Sequence, residues 1–233
     1  MVKVEFKYHP DMAYTPAVVP ALRALPDWYK EMPVQAPDKP PWEPGTVKAC
    51  MPFFDAMTQG YIMPIWADLH VACINGETPT FTWAAGGKPQ IEGHQSTQLE
   101  GFPLIEKSYA DLAYKFLSPW IIRTPKGYSS LFTAPVNQEN NEFKIISAVV
   151  ATDEYFQHIH FPFIWTAPKE WEGVLKQGSP LVQIIPFKRV DFEHEISPLT
   201  DEDIHEIQSI GNAITSTFHG AYKRLWRKVA RSK

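Results

Sequence analysis

Four residues of this chain have the types and spacing that metal chemistry uses. His158 and His160 lie two apart in the run His158-Ile159-His160-Phe161-Pro162-Phe163, and Asp68 and His70 have the same spacing. On an extended strand, residues two apart share a face, so each pair presents two donors to one side. Two such pairs on facing strands would form the histidine/carboxylate set that jelly-roll iron oxygenases use, with iron or another divalent metal as the cofactor. His94 is the candidate for a further ligand. The competing reading is a solvated strand face, where such pairs are common.

Other reactive types have weaker patterns. Cys50 and Cys73 form no CxxC pair and sit among apolar residues, which predicts buried structural thiols. Ser129-Ser130 lacks the frame of a nucleophile elbow, and Gly86-Gly87 ahead of Pro89 reads as a turn, not a phosphate loop. The basic end carries Arg224, Arg227 and Lys228 around Trp226, a pattern suited to an acidic or nucleic-acid partner. The same charges also suit a solvated helix terminus.

The elements that must position these groups are mostly short strands. Apolar segments punctuated by Gly, Pro and Asn recur from Trp120 to Arg189, the signature of antiparallel pairing. Val2 to Tyr8 alternates like an edge strand, Tyr61 to Ile74 reads as one long strand or two broken at Pro64, and Thr80 to Trp83 as another. Further strands are expected over 120–124, 129–134, 143–150, 159–165 and 181–186, while 109–117 is ambiguous between helix and strand. Cys50 to Gly60 is predicted helical, with Pro52 in its first turn and Gly60 at its stop. Prolines stud the segment from Pro16 to Pro44, and Trp28, Tyr29 and Trp42 within it need burial, which predicts an arm wrapped over the body.

The C-terminus changes character. Thr200 and Asp203 make a capping box, and Ile204, Ile207, Gly211, Ile214, Phe218, Tyr222, Leu225 and Val229 fall on one helical face. Asp201, Glu202, Asp203 and Glu206 cluster at its start, and Lys223, Arg224, Arg227, Lys228 and Arg231 at its end, as the helix dipole prefers.

Two resemblances carry further expectations. Trp28-Tyr29-Lys30, the stretch Pro52 to Tyr61, Pro119-Trp120, Thr124 to Ser129 and Gln183 to Arg189 together resemble an uncharacterised family of tailed phages and bacteria, over most of the chain. That family implies no established activity. In addition, Pro125-Lys126-Gly127-Tyr128, Val149 to Tyr155, and Gly178 with Gln183 look like the β-clip segments of deoxyuridine triphosphatases and deoxycytidine triphosphate deaminases. The resemblance implies a ligand site at Gly127, Tyr128, Asp153, Tyr155 and Gln183. The position matching the triphosphatases' water-activating acid is Ala151, which has no proton acceptor. Asp153, two residues on, is the one conceivable replacement. The uracil-pocket and C-terminal phosphate-binding segments of those enzymes are not recognisable.

Composition bounds the rest. The 233 residues, 44% hydrophobic and 21% charged, suit one globular domain, and 22 prolines favour strands and extended connections over bundles. A net charge of −4 argues against a generic nucleic-acid coat. Two isolated thiols and a strand-like N-terminus suit the cytoplasm of a bacterium or phage-infected cell, or a virion, and no apolar run reaches membrane-spanning length. The expectation is a single domain over 1–233: a strand and wrapping arm (1–46), a β core of sandwich, jelly-roll or β-clip type (47–196), and a long amphipathic helix (197–233). In function it is a non-catalytic binding or assembly protein, self-associating into a homo-oligomer. The alternatives are a metal-dependent enzyme of the non-haem iron type and a nucleotide-binding relative of the triphosphatases.

Overall fold

The computed structural model describes residues 2–40, 43, 45–73, 78–84, 90–104, 112–138, 140–168 and 170–216. These residues form a mainly β protein. In chain order they give β1 (Glu5–Tyr8), β2 (Val19–Pro20), α1 (Asp27–Glu31), α2 (Met51–Thr58), β3 (Tyr61–Pro64), β4 (Leu69–Ala72), β5 (Thr80–Thr82) and β6 (Ile91–His94). There follow β7 (Ala113–Phe116), β8 (Trp120–Arg123), β9 (Tyr128–Thr133), β10 (Phe143–Ile145), β11 (Ala148–Val150), β12 (Phe161–Trp165), β13 (Glu172–Leu175), β14 (Pro180–Lys188) and α3 (Asp201–Thr215).

The strands pair antiparallel in four sheets, ordered β1-β8, β10-β12-β7-β6, β11-β9-β14-β3-β2 and β13-β4-β5. The nine-residue β14 organises the largest, pairing with β9 on one side and β3 on the other. All four sheets contribute to one core, which includes Met63, Val71, Phe116, Ile122, Phe132, Phe163, Leu175 and Ile184. Aromatic rings dominate its centre: Phe163 contacts Phe116, Tyr114, Phe143 and Phe81, edge-on or offset, geometries that the ring quadrupole favours.

Local chemistry accounts for the joints. In α2, Pro52 occupies the first turn, where its missing N–H costs nothing, and Gly60 follows the helix at φ +70°. A side chain on Gly60 would collide with the Ile184 carbonyl oxygen, so close approach as well as φ requires glycine there. Pro64 ends β3, and the chain resumes as β4 in a different sheet, the two-strand form of the 61–74 expectation.

Several expectations are corrected. Residues 143–150 form two strands in two sheets: β10 pairs with β12, a contact that the Ile146 N–H extends to the Pro162 carbonyl, and the chain then passes to β9 as β11. Tyr29 is buried, against Phe53 and Phe54, but Trp28 stays half exposed; Trp42 lies outside the described residues. Cys73 is buried, which pushes its thiol pKa up, whereas Cys50 is exposed. The capping box of Thr200 and Asp203 forms, yet no residue of α3 is buried; the stripe positions from Phe218 onward lie outside the described residues. Among the described residues, no helix is long and apolar enough to cross a membrane.

Candidate functional site

Two of the three segments singled out for their β-clip resemblance, Pro125 to Tyr128 and Val149 to Tyr155, meet at one end of the largest sheet. β8 and β9 are joined by Thr124 to Gly127, with Gly127 at φ +86°, and β11 ends at Val150 just across β9. The chain then turns, with the N–H groups of Glu154 and Tyr155 donating to the Ala151 carbonyl. Strand alternation therefore does not continue from Ala151 to Asp153, and Asp153 is not carried to Ala151's face by a pleat. Its carboxylate turns toward the loop instead. Oδ2 accepts the Gly127 N–H at 2.7 Å, and the Arg189 guanidinium binds both oxygens, Nη1 to Oδ1 at 2.8 Å and Nη2 to Oδ2 at 2.6 Å.

Arg189 is the pivot of this clasp. Its Nη1 also donates to the Tyr128 carbonyl at 2.8 Å and to Ser129 Oγ at 3.0 Å, and its own N–H donates to the Gly127 carbonyl. Beneath lies a buried hydroxyl network, with Thr152 Oγ1 2.8 Å from Thr124 Oγ1 and 3.0 Å from Ser130 Oγ. The Arg189 guanidinium, with help from the Gly127 N–H, holds the Asp153 carboxyl down at about 2. A carboxylate so weakly basic, with both oxygens occupied, is a poor acceptor for a water proton near neutrality. The geometry is that of a clasp which fixes where the chain leaves the sheet.

The other residues implied by the β-clip likeness are not gathered here. Gln183 is fully buried on β14 and sews three segments together: Nε2 donates to the carbonyls of Ala56 and Gln59, and Oε1 accepts the Val136 N–H. Tyr155 is half exposed beyond the turn. Only Gly127, Tyr128 and Asp153 come together, two of them through backbone atoms.

The histidines occupy a second place. A cleft of about 300 Å³ is lined by His9, Met12, Gln90, Ser118, His158 and His160, among others. His158 Nδ1 lies 3.0 Å from the Ser118 carbonyl, which can only accept, so the proton sits on Nδ1. The rings of His158 and His160 are 6.4 Å apart and nearly parallel. Burial first, then the Lys115 charge, pushes His160 below the ordinary histidine pKa; Lys115 is itself paired with Glu92 at 2.9 Å. His94 is lowered by the same two causes in the same order. Both rings are thereby biased toward the neutral form.

The second proposed pair sits elsewhere. His70 is exposed on β4, in the three-stranded sheet, and Asp68 Oδ1 accepts the Gln177 N–H at 2.8 Å, with Lys176 at 3.9 Å from the other oxygen. Neither lines the histidine cleft. Among the described residues, no group of three or more His, Cys, Asp or Glu is placed to hold a metal ion. Arg224, Arg227 and Lys228 lie outside the described residues.

Sequence reasoning missed Arg189 as the partner of Asp153, since nothing in the spacing of the two announces contact. It also missed the segment that follows Arg189. Residues 190–209 are all exposed, with Phe192 at 88% and Ile196 at 93%. Val190 to Leu199 belongs to no strand, and among the described residues no hydrogen bond ties it to the body. The signal was present as an apolar and acidic run ahead of a capped helix. Compared with protein-family models and with curated proteins, the chain matches none.

Proposed function

We propose that this protein is a non-catalytic assembly protein that self-associates through its C-terminal segment. The observation that carries this reading is the exposure of Val190, Phe192, Ile196, Leu199, Ile204, Ile207 and Ile214 on one continuous stretch. Large apolar side chains exposed in such number along one segment mark an interaction site. At about 2 kcal/mol for each such side chain, burial would release on the order of 10 kcal/mol. That is comparable with the roughly 4–15 kcal/mol association costs.

Charge supports a second copy as the partner. Residues 197–206 hold four acids and no lysine or arginine, whereas 207–233 hold six bases and no acid. Two such segments side by side and antiparallel would set acid against base at both ends, the complementarity that fixes partner and register. The likeness to a family of tailed phages and bacteria supports assembly within a particle or an infected cell. We read the four sheets around one core as a sandwich-like body carrying this segment. Light scattering on the purified chain tests the proposal: a mass above one protomer is expected, falling to one protomer in the variant Ile204→Glu, Ile207→Glu, Ile214→Glu. A strict monomer in the unaltered chain overturns it.

One observation favours a second reading, a divalent metal held by His158 and His160: two parallel imidazoles share a cleft. Titration calorimetry with Zn²⁺ or Fe²⁺ tests it, and no heat at millimolar metal ends it.

A further inference from the structure

Resting on the self-association proposed above, we infer that Val190 to Ile196 of one copy adds as a β-strand to the free edge of β11 in a second copy.

The segment has the pattern of a strand without a sheet. Val190, Phe192, His194 and Ile196 alternate with Asp191, Glu193 and Glu195, so an extended backbone puts three apolar residues and one histidine on one side and the acids on the other. It contains no proline, so every N–H is available to a ladder. Yet it pairs with nothing among the described residues.

β11 is a sheet without its next strand. It ends the order β11-β9-β14-β3-β2, and Ser147, Ala148 and Val149 are exposed. Register aligns Ile185 of β14 with Leu131 of β9, and Leu131 with Val149 of β11, as one row on one face. Ile185 and Leu131 are partly covered, and Val149, at the edge, is 59% exposed. One more strand bearing an apolar residue in register would continue that row and cover Val149, and Phe192 or Val190 supplies it. Backbone bonds would give the affinity and the alternate side chains the register, as in other cases of strand addition. The acids would fall on the opposite face of the added strand, at the sheet margin beside the exposed Ala148.

A second copy suits the edge better than the same chain folding back. Arg189 is pinned by its N–H to Gly127 and by its guanidinium to Asp153, so the chain leaves the body in a fixed direction. Reversal onto its own β11 would require a turn directly after this anchor, where Asp191 is the single turn-forming type and no glycine, proline or asparagine accompanies it in 190–196.

The test is a cysteine scan in the full chain, with the exposed Cys50 replaced by serine. Copies carrying only Val149→Cys are mixed with copies of different mass that carry one cysteine at each position from 190 to 196 in turn, and the mixture is oxidised with diamide. Disulfides between unlike copies are expected at alternate positions, at least tenfold above their neighbours and above a Tyr14→Cys control. A flat or empty profile in a chain that light scattering shows to be oligomeric overturns strand addition and leaves self-association standing. A monomeric mass overturns both. A disulfide that forms only when both cysteines are in one copy, as in Val149→Cys, Phe192→Cys, shows folding back and also overturns the inference.

Discussion

Replacing Gln183 with leucine separates a structural role from a ligand-binding one. The side chain has no exposure and satisfies three backbone groups: the Val136 N–H at 2.9 Å, the Ala56 carbonyl at 3.0 Å and the Gln59 carbonyl at 2.8 Å. Leucine keeps much of the volume and removes every polar atom. At about 1 kcal/mol for each bond, with burial of the abandoned groups adding to the loss, Gln183→Leu costs about 3 kcal/mol. In a chain of this size that lowers Tm by roughly 6–12 °C. Thermal unfolding at fixed protomer concentration reads it, since any association makes Tm depend on concentration. Gln183→Glu adds a signature. A carboxylate facing two carbonyls in the core has its folded pKa raised above the unfolded value, so this variant's deficit is largest at high pH and shrinks as pH falls. A Gln183→Leu protein melting within about 1 °C of the unaltered chain would refute the reasoning, because truly structural losses of this kind are larger.

The remaining predictions concern the clasp, the glycines and the histidines. Asp153 has its folded pKa depressed to about 2, so its contribution is complete above the ordinary carboxylate range and is lost as pH falls toward 2. Tm measured against pH should therefore fall more steeply below pH 4 in the unaltered chain than in Asp153→Asn. Gly60→Ala, which drives a methyl into the Ile184 carbonyl, should cost more than about 3 kcal/mol in urea unfolding. Gly127→Ala, equally left-handed but with open space around it, should cost only about 1–2 kcal/mol. His160 and His94 should titrate below the ordinary value of about 6.5 when followed by NMR, and stability should accordingly drop as pH falls through their midpoints.

Much of the β framework was legible because its signals are local. Alternation and punctuation located most strands, and Pro52, Gly60, Thr200 and Asp203 marked helix ends by capping chemistry that acts within a turn. β13 escaped because Glu172 and Gly173 break any apolar run, and its place is set by pairing with β4 about a hundred residues earlier. The junction between β10 and β11 escaped because both halves are equally strand-like and only their distant partners, β12 and β9, assign them to different sheets. At the site, residue types were readable but their company was not. Asp153 was noticed as a stand-in base, and only the fold shows Arg189 gripping it across 36 residues of sequence. Gln183 has the type of a ligand-binding residue, and the helix packed above it turns it inward. The start of the C-terminal helix was legible from its cap, but no described residue of α3 is buried, and a periodic apolar pattern does not say what would cover it.

Sedimentation equilibrium of the 233-residue chain, over a range of concentrations and at low salt, tests the central claim most directly. A reversible assembly whose mass is a multiple of the 26.6 kDa protomer, weakened by added salt as paired acidic and basic segments require, is the predicted result. A single species of 26.6 kDa at every concentration would contradict the account.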